Sequence, residues 1–298
     1  MRIVSLIPSA TEIISSLGLI DKLIGVSHEC DNPKEVIKLP KLTRSNIKIK
    51  QSSLNIDKDI KKILNYGLSV YEVNSDLLKK LNPDFILTQS QCSVCAVSYN
   101  DVSKSLRKWL GEKPKLIDLK PNNFNDVLMD IQKTGESLDV ADQAIRLINK
   151  IKKEILWIKE KLRNEEVKKI LCIEWLDPLM VAGNWIPDLL NFSKGQSIIG
   201  ESGKHSPFIK LEDINEKDFD YIIIMPCGYD IFKTKSELEK FNYLFMKVFK
   251  HKKKFIVDGN KYFNRPSTSL LESIKILCEI IHPNIFLPQP SYERWIEI

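Results

Sequence analysis

His28, Glu29 and Cys30 stand together in the run HEC, Cys92 and Cys95 form a CxxC, and Cys227 sits between Pro226 and Gly228. Imidazole and thiolate are ligands for zinc, iron and other transition metals, and a CxxC offers two soft donors or a redox pair. A second CxxC, as a zinc ribbon would have, is absent from the sequence. A metal-holding set would therefore be assembled by the fold from His28, Cys30, Cys92, Cys95 and Cys227, with zinc or iron as the ion. The competing reading, free cysteines as small buried apolar residues, stays open beside it. Cys172 in an apolar strand and Cys278 in a helical pattern read as core. Glu29 and Glu174 are the carboxylates that would serve as general acid–base beside a bound metal.

A second group of residues suits a pocket wall. Glu174, Trp175 and Asp177, followed by Trp185, place aromatic surface beside carboxylates, and Tyr262, Phe263 and Arg265 form a comparable aromatic and cationic set. Such a wall fits a large flat ligand. Pro8, Ser9 and Thr11 open the first helical pattern, where the hydroxyls cap the helix or its free N–H groups meet an anionic ligand group. No nucleophile elbow, P-loop, GxGxxG or HExxH is present, and His205 and His282 read as surface or turn residues.

These residues share a place in the pattern. Apolar runs at 2–7, 23–27, 68–73, 84–89 and 115–119 read as strands, alternating with helical segments at 11–18, 56–65 and 102–110. After residue 166 the alternation resumes with strands at 168–175, 220–226 and 253–259 and helices at 186–193, 236–250 and 269–281. Such alternation predicts parallel sheets covered on both faces. Pro8, His28, Gln89, Glu174, Pro226 and the 258–266 run each fall at or just after a predicted strand, where open parallel sheets bind ligands. From 123 to 163 the pattern is helical, with a break at Gly135 and a helix of about 25 residues, roughly 37 Å, opening at Asp139. It reads as a strut between an N-terminal lobe (1–121) and a C-terminal lobe (166–298), with 122–165 as the helical linker. The tail from 287 onward is expected to pack across the surface.

Composition narrows the function classes. Of 298 residues, 43% are hydrophobic and 28% charged, which is ordinary for a globular chain. The net charge of +6 is spread over helices where Lys alternates with Glu and Asp. That pattern is a solvated face and argues against nucleic-acid binding. No apolar stretch is long enough for membrane insertion, and Met1-Arg2 runs straight into a strand pattern. The expectation is a cytoplasmic monomer, or a periplasmic protein if a leader has been removed.

The run RIVSLIPSATEIISSLGLIDKLIGVSHECDNP resembles the opening of the class III periplasmic binding proteins, the helical-backbone receptors for cobalamin and iron–siderophore chelates. HEC, the TQxxCxVCAVS stretch at 88–98, EWLDP at 174–178, GNWIPDLL at 183–190, PCGYD at 226–230 and DGNKYFNRP at 258–266 resemble a branch labelled cobalamin-binding. The resemblance implies an α/β fold of two Rossmann-like lobes joined by one long helix, with a ligand cleft between the lobes. It implies a non-catalytic binder of a corrinoid or related small-molecule metal chelate, served by an ABC transporter. Trp175, Trp185, Tyr262 and Phe263 would wall the ligand, Arg265 would meet its polar edge, and His28 or a cysteine would reach its metal. An intracellular thiol-dependent enzyme or metal protein on the same fold is the alternative.

Overall fold

The computed structural model describes residues 1–46, 51–65, 70–90, 114–215, 218–241 and 243–298. The expected helix at 102–110, the start of the strand at 68–73, and Cys92 and Cys95 lie outside the described residues. The chain divides into two compact units, one of Met1–Gln51, Asn55–Pro121 and Asp126–Asn149, the other of Ser52–Leu54, Asn122–Asn125 and Lys150–Ile298.

The first unit is built on a four-stranded parallel sheet with β2 (Leu23–Val26), β1 (Ile3–Ser5), β5 (Phe85–Gln89) and β6 (Lys115–Leu119) side by side. Ile3, Val4, Ile86, Leu87 and Ile117 are buried, as continuous apolar runs require when helices cover both faces. β1 leads directly into α1 (Pro8–Ser16), whose Pro8 stands at the helix start, where a missing N–H costs nothing. Ala10, Ile13 and Ile14 carry its buried face.

The expected strand at 68–73 departs from the reading. Its described part, β4 (Tyr71–Val73), lies outside the parallel sheet and pairs antiparallel with β3 (Thr43–Ser45). Its burial alternates between half-buried and exposed, the signature of a strand with one wet face.

The helical stretch also breaks elsewhere than expected. α4 (Phe124–Ser137) runs through Gly135, and the interruption falls at Asp139, whose φ is +57°. Gly135 serves packing: a β-carbon there would lie 2.5 Å from the Ala144 side chain. The next helix, α5 (Ala141–Lys161), has 21 residues, about 31 Å, shorter than the sequence suggested. Ala144, Ile148, Ile151, Ile155 and Ile158 form its buried stripe at the three- and four-residue spacing of a helix face. The division between the two units falls inside this helix, between Asn149 and Lys150.

The second unit holds a six-stranded sheet: β12 (Trp295–Glu297), β11 (Lys253–Val257), β10 (Tyr221–Ile224), β7 (Lys168–Trp175) and β8 (Met180–Val181) in order, with β9 (Gly195–Ser197) also paired to β7. β7, β9, β10 and β11 are parallel; β8 and β12 are antiparallel additions at the ends. Leu171, Ile173, Ile222, Ile224 and Ile256 pack with Phe219, Phe245 and Phe249 into one apolar cluster. The tail therefore does more than cross the surface. Arg294 forms ion pairs with Glu272 and Glu279, the Trp295 indole donates to Glu279 at 2.9 Å, and β12 pairs with β11. Among the described residues no helix is long and apolar enough to cross a membrane.

Candidate functional site

In each unit, polar and aromatic residues gather where the parallel strands end. In the first unit β1 delivers Ser5 to α1, and β2 delivers Ser27 and His28 to the following loop. The Ser5 hydroxyl donates to the Ile7 carbonyl at 2.9 Å, and the Thr11 hydroxyl donates to Ser5 at 2.8 Å. The same Thr11 hydroxyl lies 3.1 Å from the Cys30 sulphur. Cys30 is buried, and Lys41 holds its carbonyl at 2.9 Å. Its sulphur thus sits beside the Thr11 and Ser5 hydroxyls in the buried start of α1.

His28 belongs to a second set of contacts. Its backbone N–H donates to the Thr43 hydroxyl at 3.0 Å, its Nδ1 lies 2.7 Å from the same oxygen, and Ser27 contacts Thr43 at 2.8 Å. The imidazole packs against the Tyr71 ring at a centroid distance of 5.5 Å, and Tyr71 donates to Glu29 at 3.0 Å. The Nε2 atom is buried without a hydrogen-bond partner. Burial, and then the charge of Lys41, push the His28 pKa below its ordinary value, which favours the neutral ring.

The remaining first-unit residues singled out from sequence lie deeper. Pro8, Ser9, Thr11 and Gln89 are buried, leaving His28 and Glu29 as the half-exposed ones. Ser9 caps nothing: its hydroxyl is buried without a partner, and α1 has no side-chain cap. At the end of β6, Ser90 donates to Asp118 at 2.7 Å and the Lys120 N–H donates to Asp130 at 3.0 Å. Burial pushes the Asp130 carboxyl up to about 7.

In the second unit β7 ends at Glu174 and Trp175. Glu174 accepts from Ser206 at 2.6 Å, and Ser206 accepts from the Gly183 N–H at 2.9 Å. Trp175 is half-exposed and meets the buried Tyr229 edge to face at 5.4 Å. Half-exposed Asp177 follows. After β10 come buried Pro226, half-exposed Cys227 and exposed Gly228, whose φ of +72° suits glycine. After β11, Asp258 accepts from the Lys261 N–H at 2.8 Å, and burial pushes its carboxyl up to about 6.

Two aromatic residues and one cation take roles other than those expected. Trp185 and Phe263 are buried at 6% and 0% exposure, and the Trp185 indole donates to the Phe263 carbonyl at 2.8 Å. Their rings pack the interior and present no wall. Arg265 is buried too, with its guanidinium 3.1 Å from the Asn260 amide oxygen, so it stiffens the loop after β11. Tyr262 stays half-exposed with Lys261 over its ring at 5.0 Å.

The cysteine-held metal finds no support in the described residues. Among the described residues no group of three or more His, Cys, Asp or Glu can hold a metal ion. Cys30 is buried beside Thr11, Cys227 is half-exposed after β10, and Cys92 and Cys95 lie outside the described residues. Cys172 and Cys278 are core residues, as read; burial pushes the Cys278 thiol up to about 12.

Residues the sequence reading passed over complete the second unit's edge. In α7 (Ile231–Lys240), Lys233 has its buried Nζ 3.5 Å over the Tyr229 ring centroid, and burial lowers its pKa. Glu237 accepts from the Ser53 N–H at 2.6 Å and from Tyr243 at 2.7 Å. Phe232 stacks on Tyr292. Phe232 was within reach, an aromatic six residues past the end of an apolar strand; Tyr292 carried no local signal.

Comparison with known proteins gives a consistent picture. The family model described as "Periplasmic binding protein" matches residues 3–244. The uncharacterised ABC transporter substrate-binding lipoprotein YvrC of Bacillus subtilis (strain 168) is 23% identical over 293 residues, 96% of this chain and 81% of the relative. The vitamin B12-binding protein of Vibrio parahaemolyticus is 23% identical over 216 residues, 72% of this chain and 66% of the relative. Among solved structures, a periplasmic heme binding protein from Pseudomonas aeruginosa aligns with a TM-score of 0.69 at 15% identity, covering 99% of this chain and 97% of that one.

Proposed function

The chain belongs to the periplasmic binding protein family, and from that premise we propose that it binds a metal chelate of the corrinoid type and passes it to an ABC transporter. The observation that carries the reading is His28. It is half-exposed at a strand's carboxyl end with its neutral form favoured, fixed through Nδ1 to Thr43, with no hydrogen bond at Nε2. In the tautomer that donates from Nδ1 to Thr43, the Nε2 lone pair would be free for a metal once the ring turns that buried atom outward. The metal arrives as part of the cargo, so no cysteine cluster is needed. In the second unit, half-exposed Trp175 and Tyr262 offer apolar area at the carboxyl ends of parallel strands, of the kind the body of such a ligand needs. The vitamin B12-binding relative and the heme-binding structure support a chelate of this size as cargo, and YvrC supports the transporter as partner.

Absorption titration of the purified, reduced protein with aquocobalamin, and separately with hemin, tests this. A saturable shift of the corrin bands is expected, and His28→Ala should weaken binding and remove the imidazole contribution to that shift. A shift with hemin alone would reassign the cargo to porphyrins, and no shift with either would overturn the reading.

A further inference from the structure

Aromatic pairs in the interior of the second unit meet at steep angles: 87° for Phe219 with Phe249, 90° for Tyr221 with Phe255 and 67° for Phe255 with Trp295. Edge-to-face packing of that kind is what ring quadrupoles favour in a core. Phe232 and Tyr292 differ. Their rings are near parallel, 13° apart with centroids at 4.6 Å, and both are exposed, at 62% and 43%.

Their position follows from the chain path. Phe232 lies in the first turn of α7, directly after the loop that leaves β10. Tyr292 precedes β12, which runs antiparallel to β11 with Trp295 opposite Val257, and the Asp258 N–H donates to the Arg294 carbonyl at 3.1 Å. Tyr292 therefore stands beyond the carboxyl end of β11, and Phe232 beyond that of β10, at the edge where Trp175, Cys227 and Tyr262 also lie. The stack is a flat apolar surface of single-ring width. Lys235 marks its polar border: its Nζ donates to the Tyr292 hydroxyl at 3.2 Å and lies 5.7 Å from that ring's centroid. Its one ion pair among the described residues, with Glu239 at 4.0 Å, is exposed and weak.

We propose that Phe232 and Tyr292 form a stacking subsite for the planar heteroaromatic base of a nucleotide arm carried by the chelate, with Lys235 meeting the arm's phosphate. The inference rests on the chelate-binding reading and adds to it a choice between ligands. A ring of nucleobase size matches the platform, because stacking on an exposed aromatic tolerates any base with a π-face. A phosphate next to that base matches an ammonium at the platform's border.

Cobalamin carries such an arm and cobinamide lacks it, so the two serve as probes in parallel titrations. Phe232→Ala and Tyr292→Ala should each weaken cobalamin about tenfold and leave cobinamide within about twofold, with melting temperature unchanged. Tyr292→Phe should keep cobalamin affinity. Lys235→Gln should weaken cobalamin about threefold and flatten its salt dependence. Equal losses for both probes, or unmoved cobalamin affinity, would overturn the subsite, and a lowered melting temperature with unmoved affinity would make the pair a tether for the tail. Failure of the unsubstituted protein to bind either corrinoid would break the chelate-binding reading instead. Saturation-transfer NMR with millimolar adenosine monophosphate then decides the subsite alone: base-proton saturation that disappears in Phe232→Ala supports it, and none in the unsubstituted protein refutes it.

Discussion

The two carboxyl edges are built on the same topological principle and carry opposite chemistry. In the first unit, Ser5, Thr11 and Cys30 form one short set of side-chain hydrogen bonds and Ser27, Thr43 and His28 another, both mostly buried. In the second, aromatic rings and charged groups dominate: Trp175, Tyr229, Phe232, Tyr262 and Tyr292 with Lys233, Lys235 and Glu237. Parallel strand ends supply position only; the residue types placed there decide whether an edge offers directional polar contacts or apolar area.

The contrast can be broken most severely at Glu237. Its buried carboxylate holds Ser53 and Tyr243 and lies near Lys233, so Glu237→Ala should cost about 3–5 kcal/mol, read from urea unfolding. A cost under about 1 kcal/mol would mean that the second edge does not depend on its charges.

Proton linkage sharpens the comparison next. The carboxyls of Asp130 in the first unit and Asp258 in the second are both raised by burial, to about 7 and about 6. A raised carboxyl favours the folded state below its unfolded pKa, near 4, and this contribution is lost as pH climbs through the folded value. Stability should thus fall between about pH 4 and pH 7, by on the order of 2–4 kcal/mol from Asp130 and less from Asp258. Asp130→Asn, which keeps an acceptor for the Lys120 N–H, should remove the larger part of that slope; an unchanged slope would discount the burial of Asp130.

At the neutral edge, Thr11→Val removes the hydrogen bonds of Thr11 with Ser5 and Cys30, at an expected cost of about 1–2 kcal/mol. The same variant should make Cys30 no more reactive toward a maleimide in the folded state, because the residue stays buried. The smallest stability effect belongs to Trp175→Ala, about 1 kcal/mol from the lost edge-to-face contact with Tyr229. Its larger consequence should appear in the aquocobalamin titration, where an unchanged affinity would remove Trp175 from the ligand surface.

Much of this arrangement could be read from the sequence, and the exceptions have causes. β1, β2, β5, β6, β7, β10 and β11 are apolar runs bounded by turn residues, and each forms where the pattern places it. β4 misled because a run rich in Val and Tyr suits a strand in any sheet, while its wet face is visible only in the alternation of Tyr71, Glu72 and Val73. Gly135 misled because local propensity marks it as a breaker, whereas the approach of Ala144 requires it inside a helix. Trp185 and Phe263 were drawn to the surface by their size, yet the indole finds a backbone carbonyl 78 residues away, a partner no local pattern reveals. The position of His28 was legible, but its buried, unpartnered Nε2 was not, since that depends on Thr43 and Tyr71 arriving from elsewhere in the chain.

The antiparallel β12 has a consequence in time. Until Trp295–Glu297 has been synthesised, β11 has no neighbour on that side, and its backbone N–H and C=O groups form an open template for strand addition. About 40 residues separate the two strands, so at roughly 5–20 residues per second that edge stays open for about 2–8 s during translation. In that window a nascent chain on a crowded polysome is exposed to pairing with its neighbours, and holdase chaperones would have their strongest claim on it.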